Sequence, residues 1–348
     1  MIGRKILNRY EVQEHLGDGS TATVYKALDT RLGRQVALKV LLPHVRETTR
    51  KRFFQEALAA AQLNHPNIMA IYDIGDEDDY HFLVVEYVEG VSLSYYVPSP
   101  PQTVVNLGKQ IASALQYAHS HYVIHRDIKP ANIKVTPNGV VKIMDLGLAL
   151  PREATRVTAD GMVIGTPAYL SPEQAQGHTL DHRTDIYSLG VVLYEMATGH
   201  LPFDADEIPA LLLQQVKQPP PPPRLIAPDL PVELERVILK ALEKNPVRRF
   251  QSSEALASAL DGVVVKEAPA PASDDTTQPV RHRAHASPPN AASRLSGCCW
   301  PTTILYCVKH WRPFSNPAMI LSLWARRQTA RQPSKKRWRC CRMCCCST

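Results

Sequence analysis

Three short stretches hold residues of the types and spacings that chemistry needs. Residues 16 to 27 read LGDGSTATVYKA, with Gly17 and Gly19 in a strand-turn-strand setting. Lacking a Cβ, such glycines let backbone N–H groups approach an anionic ligand, although two glycines in a hairpin also make an ordinary turn. Lys39 follows within VALKV, an ammonium among the apolar neighbours Ala37 and Val40, and that setting invites a buried anionic partner. Glu56, on the next segment, can supply the carboxylate. The third stretch, HRDIKPAN at 125 to 132, crowds Asp127, Lys129 and Asn132 together, and MDLG at 144 to 147 adds Asp145, bracketed by apolar residues and a glycine.

The elements that must position these groups follow from hydrophobic periodicity. From Tyr10 to Leu41 apolar residues largely alternate, which predicts an antiparallel meander of three strands with a turn at DTRLGR. Phe54, Leu58, Ala61 and Leu63 recur at near-helical spacing, so a helix is predicted between Thr48 and Leu63, with Thr48 or Thr49 as its cap and Pro66 beyond its end. Residues 68 to 88 alternate again around an acidic turn and add two strands. Val104, Leu107, Ile111, Leu115 and Ala118 mark one face of a long helix leading to HRDIKPAN. IKVTP and VVKIM flank a turn at Asn138-Gly139, which places Asp127 and Asp145 toward opposite ends of a small hairpin. IYSLGVVLYEMA is apolar nearly all round and reads as a buried helix. QPPPPPR at 218 to 224 is stiff polyproline, read as a connection between helices or as a ligand for an SH3- or WW-type module. Helices resume at VELERVILKALEK and SEALASALDGV, and the domain is expected to end near 265.

The glycine-rich loop, the VALK lysine, the helix glutamate, HRDIKPAN and DLG occur in one order and spacing, followed by GTPAYLSPE at 165 to 173, DIYSLG at 185 to 190 and NPVRRF at 245 to 250. In these motifs the chain, over roughly residues 8 to 262, resembles the eukaryotic-type protein kinases, and among them the bacterial serine/threonine kinases. The resemblance implies an α+β, bilobal protein-kinase fold. Its N-lobe, residues 8–89, would be a small antiparallel five-stranded sheet with one main helix, and its C-lobe, residues 90–265, mostly helical.

The implied cofactors are ATP and Mg2+. By resemblance, Leu16, Gly17, Asp18, Gly19 and Ser20 cover the nucleotide, Lys39 contacts the α- and β-phosphates, and Glu56 holds Lys39. Val24 and Ala37 wall the adenine pocket with Leu16, Val85 is its gatekeeper, and the backbone of Glu86 and Val88 forms the hinge. Asp127 accepts the proton of the substrate hydroxyl and Lys129 balances charge at the γ-phosphate. Asp145 and Asn132 are the metal ligands, hard oxygen donors of the kind magnesium prefers. The lysine of DIKPAN and the threonine of GTPAYL favour Ser/Thr over Tyr as acceptor. Arg126 before Asp127 resembles kinases whose activation segment is ordered by phosphorylation, with Thr158 and then Thr155 as the candidate sites, Asp160 supplying part of that charge, and Thr166 bridging Asp127 and Lys129. Three positions depart from the family pattern: Ala22 for the third glycine, Leu146 for the phenylalanine of DFG, and Ser171 for the alanine of APE. Glu173 is retained and can pair with Arg249.

Composition bounds the remainder. The chain of 348 residues carries a formal net charge of +7, yet residues 281 to 348 contain thirteen Lys or Arg and no acid, so the first 280 residues stand at about −6. All eight cysteines and all four tryptophans also fall in that last stretch. A cysteine-free domain suits a reducing compartment, the N-terminus has no signal-like apolar run, and no apolar stretch reaches the roughly 18 residues of a membrane span. A cytoplasmic protein without a transmembrane segment is therefore expected. Its partners would be proteins presenting Ser or Thr, with dimer contacts for activation left open and no nucleic acid expected for the kinase domain. Residues 266–294 read as a Pro/Ala-rich linker. The basic Cys/Trp-rich tail, 295–348, admits three readings: disorder, a truncated or frame-disrupted end, or a surface for nucleic acid or acidic membrane. A kinase-shaped scaffold whose tail is the working part is the alternative to an enzyme.

Overall fold

The computed structural model describes residues 1–19, 21–43, 45–77, 80–146 and 167–265, apart from the side chains of Arg52 and Glu56. All of them lie in the unit Met1–Ser273. Ser20, Thr155, Thr158, Asp160, Thr166, the linker and the tail lie outside the described residues.

The N-terminal sheet is antiparallel and built from β1 (Lys5–Ile6), β2 (Tyr10–Asp18), β3 (Ala22–Asp29), β4 (Arg34–Leu41), β5 (Ile71–Glu77) and β6 (Tyr80–Glu86), in the order β1-β2-β3-β4-β6-β5. The five expected strands are present, and a two-residue edge strand precedes them; Ile6 is buried with Tyr10 and Val12. Two residues are too few for a periodicity to announce them. β4 is central. Val36, Leu38 and Val40 face one apolar cluster, Ala37 and Leu41 the other, so the strand reads as an almost continuous apolar run. Lys39 shares the second face with Ala37 and Leu41, which turns it toward the cleft. The β3–β4 turn closes on Asp29, whose carboxylate takes Arg9 Nε and Nη2 at 2.9 and 2.7 Å and the N–H groups of Arg31 and Leu32.

Helix α1 (Glu47–Ala60) lies on the second cluster through Phe53 and Ala57. It begins at Glu47 after Arg46, with no side-chain cap, so Thr48 and Thr49 stand within its first turn rather than capping it.

The second lobe packs α2 (Pro101–Ser120), α4 (Arg183–Thr198), α6 (Val232–Ala241) and α7 (Ser253–Asp261) around one apolar core, with the short α3 (Pro172–Ala175) and α5 (Ile208–Lys217) at its side. α4 is buried on every face, in keeping with its all-round apolar sequence. At Gly190 a Cβ would stand 2.9 Å from the Ala241 Cβ, so glycine lets α4 and α6 close up. α4 stops at Gly199, which takes the left-handed conformation (φ 76°) that favours glycine. The proline run connects α5 to a short 3-10 turn at Pro223–Leu225. A small sheet of β7 (Val91–Ser92), β8 (Ile133–Val135) and β9 (Val141–Ile143) caps this lobe on the cleft side. Ile133, Val135, Val141 and Ile143 point into the core, which pins the hairpin that separates the two aspartates.

Candidate active site

A cavity of about 460 Å³ lies between the lobes, and Leu16, Gly17, Asp18, Gly19, Val24, Ala37, Lys39, Glu86, Val88, Asp127, Lys129, Asn132 and Asp145 line it. Val85 does not; it is buried opposite Ala37 in the β4–β6 ladder. Thr21, Ala22, Tyr87, Lys134 and Met144 complete the walls, and none of these was nominated from sequence as a ligand-binding residue. Lys134 and Met144 carried a usable signal, because each alternates with core-facing residues of β8 or β9 and so must face the cleft.

The glycine turn is closed by its own backbone. Gly19 N–H donates to the Ala22 carbonyl at 2.8 Å, and a Cβ on Gly19 would sit 3.2 Å from that oxygen, whereas Gly17 faces open space. In this state the Gly19 N–H serves the turn, and Gly17 leaves room for a ligand. Asp18 is held by His15 Nε2 at 3.1 Å and by the Thr23 hydroxyl at 2.8 Å, and these bonds lower its pKa.

Lys39 Nζ donates to Asp145 Oδ1 at 2.7 Å, across 106 residues of chain and between the lobes. Burial works to raise the Asp145 carboxyl, but the charge and hydrogen bond of Lys39 outweigh it and hold the pKa below the usual carboxylate value. Glu56 lies on α1, and its side chain is outside the described residues.

Asp127 sits in a tight polar knot. Lys129 Nζ and Asn132 Nδ2 each donate to its Oδ2 at 2.8 Å, and the same Nδ2 donates to the Asp127 carbonyl at 2.8 Å. With its NH2 committed there, Asn132 presents its amide oxygen as an acceptor. Arg126 and Asp145, one on each side of the hairpin, adopt left-handed backbone (φ 66° and 54°). Such conformations are costly for non-glycine residues and persist only where the surroundings fix them.

Those surroundings are visible. Buried His125 accepts the Asp127 N–H on Nδ1 at 3.2 Å and donates from Nε2 to the Met144 carbonyl at 2.9 Å, tying the loop of Asp127 to the strand end that carries Asp145. Beneath it, Asp185 in the first turn of α4 takes the backbone N–H groups of His125 and Arg126 and the Nε2 of His119, each at 2.8 Å. Burial opposes its charge, yet His119 and these donors keep its pKa low. Gln174 Nε2 donates to the Arg126 carbonyl at 2.8 Å, and Gln174 and Ser171 satisfy each other's backbone in a capping box, which gives the serine at 171 a function of its own. Glu173 next to it meets Arg249 through two bonds of 2.7 and 2.8 Å in a buried pair, as the sequence suggested. Leu146 packs into the main core.

A cleft between a curled sheet and a helical lobe, walled by apolar side chains at one end and by Lys39, Asp127, Lys129, Asn132 and Asp145 at the other, is the architecture of a protein kinase domain. The family model described as "Protein kinase domain" matches residues 10–260, and the chain belongs to that family. Bacterial proteins are among its relatives: it is 41% identical over 269 residues to a probable serine/threonine-protein kinase of Clostridium acetobutylicum, covering 76% of this chain and 41% of that protein. It is 40% identical over 260 residues to the serine/threonine-protein kinase PrkC of Bacillus subtilis, covering 73% and 40% respectively. It is 42% identical over 274 residues to the serine/threonine-protein kinase PknB of Mycolicibacterium smegmatis, covering 75% and 44%. The chain thus spans about two fifths of the length of these relatives. A crystal structure of the Mycobacterium tuberculosis PknI kinase domain superposes with a TM-score of 0.61 at 28% identity, covering 75% of this chain and 98% of that one. Among the described residues no helix is long and apolar enough to cross a membrane.

Proposed function

We propose that this chain is a serine/threonine protein kinase that transfers the γ-phosphoryl group of ATP to Ser or Thr hydroxyls of cytoplasmic protein substrates and of its own activation segment. The observation that carries this reading is the convergence of Lys39 with Asp127, Lys129, Asn132 and Asp145 on one cavity, drawn from both lobes.

The residues divide the work. Asp127, with Oδ2 occupied by Lys129 and Asn132, orients the acceptor hydroxyl and takes its proton as the new O–P bond forms and the bond from the γ-phosphorus to the β,γ-bridging oxygen breaks, releasing ADP. Lys129, bonded to Asp127, offsets charge on the group in transfer. Lys39 exchanges Asp145 for the α- and β-phosphates when nucleotide enters, and Glu56 on α1 is assigned to hold it there. Asp145 and the amide oxygen of Asn132 are the donors for Mg2+, which neutralises the phosphates when bound. No cluster of three His, Cys, Asp or Glu able to hold a metal occurs among the described residues. Leu16, Val24 and Ala37 wall the base, with Glu86 and Val88 at its edge. Thr158 and Thr155 are the assigned autophosphorylation sites.

Incubation with γ-labelled ATP, Mg2+ and a generic basic protein substrate tests the reading. Label is expected on phosphoserine and phosphothreonine and absent from phosphotyrosine, and peptide mapping of the chain itself is expected to find it between residues 150 and 166. Label on tyrosine, or none on any substrate, would defeat the assignment.

A further inference from the structure

The base end of the cleft contains a cation that the reading above does not use. On β8, Ile133 and Val135 are buried in the core, so Lys134 projects the other way and lines the cavity. Lys142 stands directly opposite it in the β8–β9 ladder, and both ammonium groups meet the segment 86–88 that joins the lobes. Lys142 finds a carboxylate, Glu86, at 2.7 Å. Lys134 finds a neutral acceptor instead, the Val88 carbonyl, at 3.0 Å.

Lys39, Lys129, Asp127, Asn132 and Asp145 fix the polyphosphate at one end of the cavity. The base of a nucleotide therefore lies at the other, against Lys134. There the Val88 carbonyl already accepts one hydrogen bond from Lys134, and the ammonium has two further N–H bonds to offer. The methylene stem of the lysine still offers an apolar floor to any purine. We propose that Lys134 is a specificity-determining residue that admits guanine, whose edge presents a carbonyl oxygen, beside adenine, so that the protein binds GTP as well as ATP. The inference rests on the nucleotide reading of the cleft. A hydrogen bond from a charged donor is worth roughly tenfold or more in affinity, enough to offset the poorer fit of guanine elsewhere.

Competition against a fluorescent ATP analogue on the full chain with Mg2+ decides it, because the triphosphate is common to both nucleotides and cancels in the ratio. The wild-type chain is expected to bind GTP within roughly tenfold of ATP, Lys134→Met to widen the ratio at least tenfold in favour of ATP, and Lys134→Arg to keep the wild-type ratio. Thermal melts establish that each variant is folded. A wild-type preference for ATP of roughly a hundredfold or more overturns the proposal whether or not Lys134→Met folds, and so does a Lys134→Met ratio within about twofold of wild type. ATP binding in those cases leaves the kinase reading standing; no binding of either nucleotide by the wild-type chain overturns both.

Discussion

Lys39 and Asp145 neutralise one another at 2.7 Å, and that bond helps keep the carboxylate proposed as a metal ligand in its charged form. Removing the ammonium leaves burial as the dominant influence on Asp145, so its pKa rises. In Lys39→Met, Mg2+-dependent nucleotide binding should accordingly fail at a higher pH than in wild type as the solution is acidified from neutrality; titration calorimetry between pH 7 and 4 would reveal it, and coincident acid limbs would refute the coupling. The sequence made Asp127, Asn132 and Asp145 legible because each stands in a short string with its neighbours. It did not reveal the Lys39–Asp145 bond, since a contact between lobes leaves no local pattern; its reading of Glu56 as a partner of Lys39 falls on a side chain outside the described residues. His125 was passed over for a similar reason: its role is to hold two backbone segments that only the fold brings together.

At the scale of elements, the site depends on what α3 and α4 hold in place. Asp185 collects two backbone N–H groups of the loop that carries Asp127, and His119, without lining the cavity. Asp185→Ala should lower kcat by roughly 10²-fold, the scale of a misplacement near 1 Å, with nucleotide affinity nearly unchanged; steady-state kinetics beside a binding titration separate the two. The Glu173–Arg249 pair is a buried clamp, and Arg249 is fully enclosed. Arg249→Ala strands a buried carboxylate and should cost about 3–5 kcal/mol in chemical denaturation. The strands, α2 and α4 were readable from period and burial. The start of α1 was not, because two threonines resemble a cap wherever they precede an apolar face, and here the helix begins one residue before them.

For the molecule as a whole, the described fold ends near residue 265, close to the limit of the family match at 260. A chain ending at Val265 should therefore melt and transfer phosphate as the full chain does, and loss of either would give the tail a part in the domain. The acid stability of the N-lobe has an identifiable contributor in Asp29, whose bonds from Arg9 depress its pKa to about 2. The unfolded carboxyl titrates near 3.8, so the stabilisation is complete above that value and is lost as the pH falls toward 2. The stability gap between wild type and Asp29→Asn should shrink over that window, as urea midpoints would record. The two lobes were legible because each is built from its own periodicity. How they meet was legible only through the motifs.

The central claim is that Asp127 takes the acceptor proton in phosphoryl transfer. Its most direct test measures nucleotide affinity and phosphate transfer together in wild type and Asp127→Asn. Retained affinity with transfer reduced by roughly 10²-fold or more in the variant is the predicted result. Equal transfer by the two proteins would contradict it.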